Sequence, residues 1–100
     1  MNVKQAISQT QQRWLGRIRN GQTAISCGFC DHADGECDIC LVPKVLGFRC
    51  ENLPSYSHWI NTVTDPSTFT LHHKIRNAAN EVLADVNQIA RVYHVKQVKE

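Results

Sequence analysis

Residues 71–94 read LHHKIRNAANEVLADVNQIARVYH. Leu71, Ile75, Ala78, Val82, Val86, Ile89 and Tyr93 recur every three or four positions, and Leu83 and Ala90 widen the stripe. That period is the signature of an amphipathic helix. At 1.5 Å per residue the run spans about 36 Å. Upstream, Thr64-Asp65-Pro66 reads as a start signal, because Asp65 can cap free N–H groups and Pro66 suits a first helical position. The helix is therefore expected over about 66–94. Thr68, Phe69 and Thr70 are mediocre helix formers and pull its firm start toward Leu71. Ile75, Val82 and Ile89 repeat every seven residues and are β-branched, a seam that suits a second helix. That second helix is either in the same chain or in a second copy, as a homodimer through the C-terminal helix.

A first helix is expected over 3–20. Val3, Ile7, Trp14 and Ile18 return to one face, with Ala6 and Leu15 beside them. Asn20-Gly21 is a stop signal, and Arg17 and Arg19 suit the last turn. This helix is shorter than the C-terminal one and can cover only part of it. An antiparallel pair is expected, with the intervening segment folded over one end.

That segment, about 21–64, holds all five cysteines, four of the five glycines and two of the three prolines, so little regular structure is expected in it. Its pattern is Cys27-Gly-Phe-Cys30, six residues, Cys37-Asp-Ile-Cys40, nine residues, Cys50. A C-x2-C pair aims two thiolates at one ion, and two pairs complete a tetrahedral site of the kind Zn2+ favours. Such a site carries about 10–16 kcal/mol of apparent binding free energy, enough to fold a segment without its own core. The first choice is one structural Zn2+ held by Cys27, Cys30, Cys37 and Cys40. Three alternatives stand beside it: Cys50 replacing one of the second pair, a site with three cysteines and His32 or His58, and an iron–sulfur cluster or disulfides. The N-terminus has no continuous apolar core and the cysteine number is odd, which favours a reducing, cytoplasmic setting. The fold expected is one domain over 1–100, mainly α, with two helices flanking an irregular zinc module.

The layout resembles small, mostly uncharacterised Cys-rich phage and bacterial accessory proteins. The matching pieces are Trp14-Leu-Gly-Arg-Ile-Arg-Asn-Gly21, the two C-x2-C pairs, Cys50, and Pro54-Ser-Tyr56 with Trp59. Two features depart from the group: the proline next to its fourth cysteine stands here at Pro43, and its Pro-Tyr element is split by Ser55. The resemblance covers about residues 10–60. It implies a phage-type metal-binding accessory factor, acting as an inhibitor of a host enzyme or defence component in the bacterial cytoplasm, with no catalytic activity to carry over.

Charge narrows the function classes. The net charge is +2, yet residues 1–26 carry four basic groups and no acid, and residues 27–40 carry four acids and no Lys or Arg. Four thiolates on Zn2+ would add two more negative charges to that acidic loop, which disfavours contact with phosphate there. No Walker loop, G-x-S-x-G, H-E-x-x-H or deaminase His-x-Glu is present, and four thiolates leave no open metal position for water. The chain is expected to be non-enzymatic and to bind a protein partner. Candidate contact residues are Phe29, Tyr56 and Trp59, together with Arg13 and Arg17 on the first helix. The alternative is a nucleic-acid-binding zinc protein using that basic helix, on which Arg13 and Arg17, four residues apart, share a face. No apolar run is long enough to span a membrane.

Overall fold

Two apolar helices in one short chain must cover each other, and a third proves to share the work. The structure is a computed structural model that describes residues 3–20, 45–47, 53–68 and 72–99. Helix α1 spans Val3–Asn20, α2 spans Pro54–Thr64 and α3 spans His72–Val92. No strand occurs among the described residues. The architecture is therefore mainly α, with three helices rather than two among the described residues.

Helix α3 is the centre. Its buried residues are Ile75, Ala78, Ala79, Val82, Leu83, Val86, Ile89 and Ala90, a stripe broad enough for two neighbours. On one side Arg76 Nε donates to Ile18 O at 2.8 Å, and Gln11 Nε2 donates to Asn87 Oδ1 at 3.1 Å. Rising numbers on α1 meet falling numbers on α3, so the pair is antiparallel, as expected. On the other side Ser55 donates to Asp85, and His58 Nδ1 lies 2.8 Å from Glu81 Oε2, so α2 is also antiparallel to α3. The seven-residue seam of Ile75, Val82 and Ile89 lies in this core. The chain's own helices cover the surface that the spacing offers to a second copy. The one large hydrophobic residue exposed among the described residues is Val92.

Helix α2 corrects the expectation of an irregular segment through 64. Tyr56, Trp59, Ile60 and Val63 stand at i, i+3, i+4 and i+7, and Pro54 opens the first turn after an extended Leu53. Thr62 and Thr64 donate their hydroxyls to the carbonyls of His58 and Ile60, which satisfies those hydroxyls within the helix. The helix stops at Asp65, which precedes a proline and is extended (φ −85°, ψ 114°). Pro66 then begins a 3-10 turn, Pro66–Thr68, and α3 begins at His72. The long helix expected from 66 is thus shorter at its start. Ser67 N–H and Oγ both donate to Asp65 Oδ1, at 3.0 and 2.8 Å, and these two bonds hold the Asp65 carboxyl below its ordinary pKa. Their contribution is complete above the ordinary Asp range and disappears as pH falls through the lowered folded-state value.

The end of α3 is a Schellman cap. Val95 N–H donates to Ala90 O at 2.8 Å and His94 N–H to Arg91 O at 3.3 Å. His94 occupies the left-handed position with φ 59°, where glycine is the usual residue. His94→Gly should therefore stabilise the protein by about 0.5–1 kcal/mol, the steric relief exceeding the added chain entropy. A denaturant melt showing equal or lower stability would count against a strained cap.

Candidate functional site

The metal ligands proposed from sequence, Cys27, Cys30, Cys37, Cys40 and Cys50, lie outside the described residues, as do Phe29 and His32. What the structure places is their anchorage. Helix α1 ends at Asn20, immediately before the segment, and the buried Leu53 opens α2 after it. Between these, Val45 and Leu46 pack against the core, and Gly47 turns the chain at φ 80°. Both C-x2-C pairs fall between the first two anchors in sequence, and Cys50 falls between the second and third. Ile18 lies beside Arg76 and Ser55 beside Asp85. The two ends of the segment are therefore held about nine residues apart along α3, about 14 Å.

At the meeting of α1 and α2 lies a buried aromatic cluster. Trp14 and Trp59 make an edge-to-face pair, centroids 5.0 Å apart and planes at 77°. The Arg17 guanidinium sits 4.1 Å from the Trp14 ring centre and 5.8 Å from that of Trp59. An edge-to-face pair adds about 0.5–1.5 kcal/mol beyond area burial, and a desolvated cation over an indole adds about 2 kcal/mol. Trp59 is 0% exposed and Arg17 is 2% exposed. Both were expected as partner contacts, and both are instead core groups that present no surface in this conformation. Arg13 is exposed, so the two arginines do not form one accessible pair. Tyr56 is half-buried against the core. The inward polar residues Thr10, Gln11 and Arg17 escaped the sequence reading. Their signal was positional: Ile7, Thr10, Gln11, Trp14, Arg17 and Ile18 follow the helical three-and-four spacing.

Open grooves flank α2. One, of about 590 Å³, has Leu46, Leu53 and Pro54 on an apolar side and Ser55, Glu81 and Asp85 on a polar side. Another, of about 450 Å³, is lined by His58, Asp65, Lys74 and Glu81 among others. His58 and Glu81 are each about half exposed (54% and 52%), so their pairing contributes little to stability. No group of three His, Cys, Asp or Glu side chains converges as a metal site among the described residues. No helix among them is long and apolar enough to cross a membrane.

No protein-family model matches the chain, and no curated protein or solved structure matches it either.

The two arginines should behave differently on truncation. Arg17→Ala removes a buried group stacked on two indoles and should cost about 2 kcal/mol or more, a larger loss than that of Arg13→Ala at an exposed position. Trp59→Ala should cost about 3–5 kcal/mol. Equal effects of the two arginine variants in urea melts would show that the cluster is not a stabilising element.

Proposed function

We propose that the chain is a small non-enzymatic accessory protein, stabilised by one structural Zn2+, that binds a protein partner. The observation that carries this reading is the pair of C-x2-C motifs in one segment whose ends and middle are tied to a helical core. Zinc there would cross-link a stretch whose described anchors to the bundle are Asn20, Val45–Leu46 and Leu53. Cys27, Cys30, Cys37 and Cys40 are the ligands, with Cys50 as the replacement candidate. The resemblance to phage and bacterial accessory proteins supports an inhibitor of a host enzyme or defence system, working in the bacterial cytoplasm. With Trp59 and Arg17 in the core, the contact residues reduce to Phe29, Tyr56 and Arg13.

Nucleic-acid binding is the second reading. It is favoured by the basic residues 1–26, which carry Lys4, Arg13, Arg17 and Arg19 and no acid in a chain of net charge +2. Against it, α1 loses Arg17 to the core and keeps Lys4, Arg13 and Arg19 at its surface, a small basic footprint.

Protein purified without added metal should contain close to one zinc per chain by elemental analysis. Cys27→Ser and Cys30→Ser should lose it, and Cys50→Ser should keep it. Iron with labile sulfide and a visible absorption band would replace the zinc assignment, and a metal-free folded protein would remove it. Nucleic-acid binding tighter than the 10⁻⁴–10⁻⁶ M typical of non-specific contacts at physiological salt would reverse the order of the two readings.

A further inference from the structure

The residues after α3 turn back at His94 and lie against both α1 and α3. Two side-chain amides hold them there. On α3, Asn87 takes both backbone groups of Val98: Nδ2 donates to Val98 O at 2.6 Å, and Val98 N–H donates to Oδ1 at 3.1 Å. On α1, Gln11 Nε2 donates to Lys96 O at 2.9 Å and to the same Asn87 Oδ1 at 3.1 Å. Val95 and Val98 also pack on the core. Residues 95–98 are thus a strap bonded to two helices at once.

The main chain dictates the orientation of both amides. Val98 N–H can only donate, so Asn87 turns its oxygen to that group and its nitrogen to Val98 O. Lys96 O can only accept, so Gln11 presents its nitrogen there. One Gln11 N–H serves Lys96 and the other serves Asn87, so both donors of that amide are used. Asn87 Oδ1 accepts from α1 and from the strap together. In a chain of this kind each bond polarises and strengthens its neighbours.

Gln11 is an unusual residue for its place. It is 2% exposed, on the inward stripe of α1 between Ile7 and Trp14, where glutamine is uncommon. An apolar residue there would extend the stripe and leave Lys96 O without that donor. A satisfied buried polar network rigidifies a core and specifies one arrangement of it. Helix α1 has other attachments: Arg76 Nε donates to Ile18 O, and Trp14 pairs with Trp59 of α2. Gln11 supplies its bond to the strap.

We infer that residues 95–98 are a conformational clasp on α1: through Gln11, the docking of the strap on α3 and the docking of α1 on α3 form one cooperative unit. The helix that leads into the cysteine-rich segment is thereby held in place by residues that follow α3 in sequence. The clasp stands apart from the accessory-factor reading and does not depend on it.

The test is amide hydrogen exchange in the full chain, read at Val98. In the parent chain Val98 N–H, held by Asn87, should exchange at least about tenfold more slowly than Lys99 N–H, each relative to its free-peptide rate. Gln11→Met keeps a side chain of similar length and removes the amide. The Gln11 bonds go to Lys96 and Asn87 and not to Val98, so a strap held by α3 alone would keep its Val98 rate. The clasp instead predicts a Val98 rate about tenfold faster in this variant. Gln12→Met, at the exposed neighbouring position of α1, is the control and should leave the Val98 rate within about twofold of the parent. An unchanged Val98 rate in Gln11→Met would overturn the clasp, and so would an equal increase in Gln12→Met. A Val98 amide exchanging at the free-peptide rate in the parent chain overturns it as well, whether or not either variant folds. No metal or partner enters these readouts, so the clasp and the accessory-factor reading can fail separately.

Discussion

Arg17 stacked against Trp14 and Trp59 joins two helices that are otherwise organised by α3. Each short helix lies antiparallel to α3, and they meet each other at the tryptophans. A buried cation is costly unless its surroundings compensate for lost water. Two indole faces supply part of that compensation, and they do so only while α1 and α2 are both docked. The cluster therefore couples the two ends of the cysteine-rich segment: α1 leads into it, and α2 leads out of it.

That coupling gives the segment a mechanical setting. Its ends are fixed about 14 Å apart along one rigid helix, and Val45 and Leu46 hold its middle to the same core. A metal bound by the two C-x2-C pairs would close a loop whose anchors are already in place, so less of its binding free energy is used in ordering the rest of the chain. The described core is built from α1, α2 and α3, with Leu53 and the edge residues Val45 and Leu46.

The far side of the bundle follows a different logic. There the polar residues that point inward, Gln11 and Asn87, are satisfied by backbone rather than by each other alone. A buried amide must find partners or destabilise the core. The returning tail provides them after the left-handed turn at His94. Arg76 plays a comparable part at the opposite end, donating to a carbonyl in the last turn of α1.

Much of the bundle was legible in the residues themselves. Helix α1 and the apolar face of α3 followed from three-and-four spacing, because a helix period is a local property of the chain. The C-x2-C spacing points to a metal chemistry by the same kind of local argument, and its cysteines lie outside the described residues. Helix α2 was equally periodic at Tyr56, Trp59, Ile60 and Val63, but its β-branched residues and the neighbouring cysteines masked it. Asp65-Pro66 carried the right punctuation and the wrong sense, ending one helix rather than starting the long one. Only the tertiary structure decided which residues are inside. Arg17 and Trp59 had the composition of contact residues, and packing between two helices far apart in sequence made them core. Gln11, Asn87 and Val98 have no local pattern linking them. Their bonds join positions 11, 87 and 98, and such contacts exist only once α1, α3 and the tail have been brought together.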